Sequence, residues 1–125
     1  MDDGIVCIAI AEDDRMVRTA LRRYLSQEPD FAIVGECVDG DEALTLVANS
    51  RVDVLLLDLS MPRVDGFTVL RELPRVAPAT RVVVLTGDVD IAVAQQVMRA
   101  GATACLVKGT DPAAIAQAVR QAVLQ

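Results

Sequence analysis

Five residues able to do chemistry occupy one kind of position in this 125-residue chain. Glu12 and Asp13 follow the apolar run 6–11, Asp58 follows 54–57, Thr86 follows 82–85 and Lys108 follows 104–107. Ligands of open α/β sheets bind outside the carboxyl ends of the strands. If these runs are strands of one sheet, three acids, a hydroxyl and an amine converge on one edge. Each has a plainer account alone: Thr86 as a strand terminus, Lys108 as a solvated loop charge, and the neighbouring Asp14 as a helix cap. Together the balance changes, because an acid directly after a buried run is costly unless paired or bound to a cation. Carboxylates on adjacent strand ends repel by about 3–4 kcal/mol per pair at roughly 5 Å and an effective dielectric near 20. A hard divalent cation relieves that repulsion, and an oxygen-only donor set favours Mg²⁺ over Zn²⁺.

Other chemistries are excluded by what the chain lacks. It has no histidine, so Ser-His-Asp and Cys-His sites, His-based metal sites and a phosphohistidine of its own are ruled out. Neither a P-loop nor a G-x-G-x-x-G fingerprint is present. A flavin phosphate needs donors after the first strand, where this chain has acids. The three cysteines, Cys7, Cys37 and Cys105, show no C-x-x-C spacing and read as small buried thiols in a reducing compartment. A net charge of −6 disfavours direct nucleic-acid contact, which would need another domain. No apolar run approaches the roughly 20 residues of a membrane span, and the Met-Asp-Asp-Gly start has no basic n-region, so a cytoplasmic location is expected.

The elements that must position these residues are legible from periodicity. The length fits one domain, and a composition 53% hydrophobic and 24% charged suits an autonomous fold. Apolar runs at 6–11, 31–34, 54–57, 82–85 and 104–107 predict five strands, the second reaching its end at Cys37. Between them, Val17, Ala20, Leu21, Tyr24 and Leu25 follow a helical period and are expected to face a core, as are Ala43, Leu46 and Val47. Asp39 with Glu42 resembles a capping box, Pro74 is expected to close the third helix, Gly101 suits a C′ position, and Asp111-Pro112 starts the last helix. That helix carries Ile115, Val119, Ala122 and Val123 on one face. The alternation predicts an α/β fold, a single-domain (βα)₅ doubly wound parallel sheet with right-handed crossovers.

Four segments now carry a resemblance: Ile8-Ala9-Ile10-Ala11-Glu12-Asp13-Asp14, LLLDLSMPRVDG around Asp58, VVVLTG ending in Thr86-Gly87, and GATACLVKG around Lys108. In this order and spacing they resemble the receiver domain of two-component response regulators, over essentially the whole chain. FAIVGECVDGDEAL and VKGTDPAAIAQAVRQAV are most similar to the NarL/FixJ subfamily, whose receivers usually precede a LuxR-type helix-turn-helix domain. The resemblance implies a flavodoxin-like sheet of strand order 2-1-3-4-5 and a receiver over 1–125, with any output domain outside this chain. It implies that Asp58 accepts a phosphoryl group from a sensor histidine kinase, and that Asp13, Asp58 and the main-chain carbonyl of Ser60 bind Mg²⁺, with Glu12 acting through water. Thr86 and Lys108 would each bond a phosphoryl oxygen, Gly87 would leave the approach open, and Met61-Pro62 and Asp65-Gly66 would shape the loop after the acceptor.

Three departures from the family pattern stand out. Glu12 occupies a position where Asp is common, Gly109 follows Lys108 where many receivers have Pro, and Cys105 replaces a frequent Tyr or Phe. Cys105 is too small to sweep between rotamers, so a switch would run through the loops 87–90 and 108–111 into the helices they start. The last helix is expected to expose Gln117, Arg120 and Gln121 to a homodimer or output domain. Two other readings compete with a phosphorylation-controlled switch that turns over no external substrate. One is an interaction module indifferent to phosphorylation, which the full set of five residues disfavours. The other is a dehalogenase-type phosphatase, whose D-x-D pattern is broken here by Ser60.

Overall fold

The five apolar runs become strands β1 (Val6–Ala11), β2 (Phe31–Cys37), β3 (Val54–Asp58), β4 (Arg81–Thr86) and β5 (Ala104–Val107) in the computed structural model, which describes residues 4–87 and 90–125. The helices are α1 (Arg15–Leu25), α2 (Gly40–Asn49), α3 (Gly66–Val76), α4 (Ile91–Arg99) and α5 (Pro112–Ala122). All strand pairs are parallel, in the order β2-β1-β3-β4-β5. That is the expected order. Asp88 and Val89, within the loop expected to relay a switch, lie outside the described residues.

Alternate residues of the central strands feed two separate cores, as a sheet covered on both faces requires. Ala9, Leu55, Leu57, Val82 and Val84 pack under α2, α3 and α4 through Ala43, Val47, Val69, Leu70, Leu73 and Val97. On the other face, Ile8, Ile10, Leu56, Val83 and Leu85 meet Leu21 and Leu25 of α1 and Ile115, Ala116, Val119 and Ala122 of α5. The second strand runs past its apolar stretch to Cys37, because backbone pairing with β1 continues through Gly35 and Glu36. The register skips Val34 there, and a bulge on an edge strand discourages pairing with another chain.

Capping follows the sequence. Asp14, Asp39, Asp65, Asp90 and Asp111 each accept backbone N–H groups at the starts of α1 to α5. Gly101, at φ +114°, follows α4, where the amides of Ala102 and Gly101 return to the carbonyls of Val97 and Met98 in a Schellman arrangement.

Three expectations are corrected. Pro74 does not close α3, which continues to Val76. A proline inside a helix costs about 3 kcal/mol, whereas burying Val69, Leu70 and Leu73 contributes about 1.5–3 kcal/mol each. Packing therefore carries the helix past the proline. Ala20 is exposed rather than core-facing, on the rim of a 320 Å³ groove between α1 and α5 that Val17, Tyr24, Pro112 and Ile115 also line. Arg120 is not a free surface charge: its guanidinium bonds both oxygens of Asp30 at 2.7 and 3.0 Å, pairs with Glu28, and lies 4.6 Å from the Phe31 ring centre. Gln117 and Gln121 are exposed as expected.

The Arg120 bond holds the Asp30 carboxyl below its ordinary 3.8. A depressed carboxylate contributes stability above its unfolded value and loses it as pH falls through the folded one. Arg120→Ala is therefore expected to lower urea stability at pH 7, with the deficit narrowing below about pH 4 to what the Phe31 stacking contributes. NMR titration of Asp30 in that variant is expected to rise toward the ordinary value.

Candidate functional site

The strand register brings the chemical residues together. Ala11 pairs with Leu57, Asp58 with Leu85, and Thr86 with Val107, so Glu12 and Asp58 lie level at the carboxyl edge, with Thr86 one residue and Lys108 two residues further along it. Glu12 is 1% exposed and Asp58 2%, while Asp13 stands in solvent beside them. One carboxylate oxygen from each of Glu12, Asp13 and Asp58 lies within 4.8 Å of the others.

Each buried acid is oriented by its own chain. The Asp14 amide donates to Glu12 Oε2 at 3.0 Å while the Asp14 side chain caps α1 through the amides of Met16 and Val17. The plainer account of Asp14 therefore holds. Arg18 bonds the Glu12 carbonyl at 2.8 Å. The Ser60 amide donates to Asp58 Oδ1 at 3.0 Å, which fixes the carboxylate plane. The loop then turns back so that the Gly66 amide reaches the Leu59 carbonyl at 3.2 Å. A Cβ at Gly66 would sit 2.8 Å from Leu59 Cα, so glycine is required there.

Lys108 neutralises part of the crowding. Its ammonium lies 2.9 Å from Glu12 Oε1 and 3.2 Å from Asp58 Oδ2, and it donates to Glu12 Oε2 at 3.2 Å. The backbone that delivers it is fixed by a 2.7 Å bond from its amide to the Thr86 carbonyl and by Gly109 at φ +89°. Burial depresses the ammonium, but the bond to Glu12 and the attraction of the Glu12 and Asp58 carboxylates outweigh it and its pKa rises. Burial pushes the Glu12 carboxyl up, and the nearby Asp58 adds to this against the Asp14 amide and Lys108. The sequence pointed to Lys108 as a ligand of an incoming group; the bridge to Glu12 needed three dimensions.

Glu12 Oε1 and Asp58 Oδ2 are both buried and have no hydrogen bond among the described residues, although Lys108 stands within ion-pair distance of each. At these two atoms the contact is thus Coulombic without an aligned donor, and both oxygens retain lone pairs beside exposed Asp13. Such an oxygen-only set fits a hard divalent cation.

Thr86 is half-buried at the end of β4 and borders a cavity of 140 Å³ shared with Asp90, Ile91, Ala94, Cys105, Leu106 and Val107. Cys105 is half-buried in that wall, whereas burial pushes the Cys37 thiol up to about 12. A further pairing was not legible from the sequence. Asp39, recognised only as a cap, is also 3.2 Å from the guanidinium of Arg63 in the loop after Asp58.

Comparison with known proteins agrees with this geometry. The response regulator receiver domain family matches residues 8–120. The transcriptional regulatory protein DegU of Brevibacillus brevis is 32% identical over 96% of this chain, which spans about half of that protein, 51%. The signal receiver domain of the response regulator NarL from Mycobacterium tuberculosis superposes with a TM-score of 0.91 at 30% identity, covering 96% of this chain and 97% of that one. A CheX–CheY complex with BeF₃⁻ and Mg²⁺ from Borrelia burgdorferi gives 0.88 at 27% identity, over 96% and 91% of the two chains. Sheet order, the acid cluster at the strand ends and these matches lead to one conclusion: the chain belongs to the response regulator receiver domain family, with relatives among NarL- and LuxR-type transcriptional regulators of two-component systems.

Proposed function

We propose that this chain is a phosphorylation-controlled switch in which Asp58 takes a phosphoryl group from a sensor histidine kinase in the presence of Mg²⁺. The observation that carries the reading is the meeting of Glu12, Asp13 and Asp58 around two buried oxygens that no hydrogen bond among the described residues satisfies. Asp13, Asp58 and the Ser60 carbonyl would hold the ion, with Glu12 acting through water, and when bound it supplies positive charge against the carboxylates and the phosphoryl oxygens. A carboxylate oxygen of Asp58 attacks phosphorus as the donor's P–N bond breaks, leaving an acyl phosphate on Asp58 and the electron pair on the departing imidazole. The Ser60 amide keeps the Asp58 carboxylate oriented for that attack. Lys108 supplies an ammonium, and Thr86 a hydroxyl, to the phosphoryl oxygens, since such transfer depends on positioning and charge stabilisation. Gly87 leaves that approach open.

The chain turns over no external substrate in this reading. It acts in the cytoplasm on a covalently attached output domain, of LuxR DNA-binding type as in the relatives, and as a phosphorylation-dependent homodimer. Its own negative charge keeps it off nucleic acid. Among the described residues no helix is long and apolar enough to cross a membrane.

With acetyl phosphate and Mg²⁺, intact-mass spectrometry is expected to show one added phosphoryl group on the wild type and none on Asp58→Asn, which keeps the shape but loses the nucleophilic oxygen. Equal labelling of both proteins removes Asp58 from the role.

Removing the bridging ammonium tests the charge balance. Without Mg²⁺, Lys108→Ala is expected to lower stability by about 3–5 kcal/mol, the penalty for leaving buried carboxylates without their counter-charge. Millimolar Mg²⁺ at fixed ionic strength is expected to raise the wild-type melting temperature by mass action, and Ca²⁺ to do so less. Asp13→Asn should relieve repulsion in the metal-free protein and weaken the Mg²⁺ response. Melting curves indifferent to Mg²⁺ argue against the site.

The route out of the site is tested with beryllofluoride, a phosphoryl mimic. Thr86→Ala is expected to weaken the amide chemical-shift response across residues 86–121, and Cys105→Ala to leave it nearly unchanged. The opposite pattern reverses the route.

A further inference from the structure

The loop between Asp58 and α3 is held to a neighbouring helix by one side chain in an uncommon backbone conformation. Arg63 has φ +65°, and it is the one non-glycine residue in the left-handed region among the described residues. That region disfavours a residue with a Cβ and a long side chain, and Gly or Asn adopts it more readily. Arg63 is nevertheless placed there. The turn it makes brings the Val64 carbonyl against the start of α2, so closely that a Cβ on Gly40 would lie 2.1 Å from that oxygen.

The side chain of Arg63 then closes the contact. Its guanidinium reaches Asp39 Oδ2 at 3.2 Å, while Asp39 Oδ1 accepts the Glu42 amide at 2.9 Å. The Asp39 carboxylate is nearly enclosed, at 8% side-chain exposure, whereas Arg63 is 66% exposed. A buried carboxylate with one oxygen used in a helix cap still needs a partner for its charge. Arg63 provides it from the loop, and the pair ties 60–65 to the first turn of α2.

We propose that Arg63 is a positioning residue for the acceptor loop: through Asp39 it holds the Ser60 peptide where its N–H orients Asp58 and where its carbonyl would serve as a cation ligand. The inference rests on the reading of Asp58 and Ser60 as cation ligands. The path is short. Ser60 is two residues beyond Asp58 and three before Arg63, and Leu59 and Met61 on either side of it are buried in the core under α2 and α3. The loop is therefore fixed at its start by packing, at its end by Gly66 and the Asp65 cap, and at its outer turn by Arg63.

Arg63→Gly is the informative variant, because glycine accepts the same φ without strain and the protein should stay folded. Mg²⁺ affinity is read by calorimetry or NMR titration, and hydrogen exchange of the Ser60 amide is read in the metal-free protein. Relative to the wild type, Arg63→Gly is expected to weaken Mg²⁺ binding about 3- to 10-fold and to speed Ser60 exchange, with a lower melting temperature as Asp39 loses its partner, partly offset by relief of the positive φ. Arg63→Lys, which keeps a cation at Asp39, is expected to recover affinity to within about 2-fold. Unchanged Mg²⁺ affinity and Ser60 exchange in Arg63→Gly, with the wild type binding Mg²⁺, overturn the positioning role, as does failure of Arg63→Lys to recover any affinity. A wild type that binds no Mg²⁺ overturns the reading of the cation site itself, whatever the Arg63 variants do.

Discussion

Two buried carboxylates, one exposed one and a single ammonium constrain everything around the strand ends. Glu12 and Asp58 are held in the protein interior by bonds from the Asp14 and Ser60 amides, and neither can move into water without breaking the edge of the sheet. Lys108 offsets a single positive charge's worth of repulsion, which leaves the cluster net negative. At an effective dielectric near 20 and separations of about 5 Å, each remaining like-charge pair costs a few kcal/mol. That energy is available to any cation entering between Asp13 and the two unsatisfied oxygens, and it is a reason for the site to sit on rigid strands. A looser scaffold would relax by spreading the acids apart.

The two-core architecture is what makes that rigidity possible. Each central strand packs against helices on both faces, so a shift at a strand end must displace α2, α3 and α4 or α1 and α5 as well. Close-packed interiors resist such shifts. Asp13, Ser60, Arg63 and Gly109 lie in the connections just beyond the strands. Function in this fold is placed on loops whose ends are fixed, and the Asp-capped helix starts supply those fixed ends.

How much of this was legible from the residues follows from the range of the interactions. Strands and caps depend on local pattern, so the apolar runs, Asp39-Glu42, Gly101 and Asp111-Pro112 could be placed directly. The acid cluster was legible because apolar runs ended in charge, a pattern with few inexpensive structural explanations. Pro74 was misplaced because local propensity opposed three buried contacts, and together those contacts outweigh the proline penalty. Ala20 and Arg120 were misplaced because periodicity defines a face without saying where the neighbouring element ends. Arg120 meets Asp30 across 90 residues of sequence and Lys108 meets Glu12 across 96, and no window along the chain shows either. Asp39 with Arg63 is the same case at shorter range.

Lys108 links the site to the last helix. Its ammonium is shared by Glu12 and Asp58, its amide is bonded to Thr86, and four residues later Pro112 begins α5, whose other end is tied by Arg120 to Glu28 and Asp30. In the switch proposed above, negative charge added at Asp58 would draw the ammonium from Glu12 toward itself, and the energy of that exchange would act on what can move. The Arg120 end of α5 is bonded and stacked, so the strain falls on the connection through Gly109 and on the Thr86 side. There, the half-buried Cys105 leaves a 140 Å³ cavity bordered by Ile91, which stands 75% exposed at the first position of α4. An aromatic ring at residue 105 would fill much of that space. With a thiol instead, Thr86 and the first residue of α4 border a cavity rather than a packed ring.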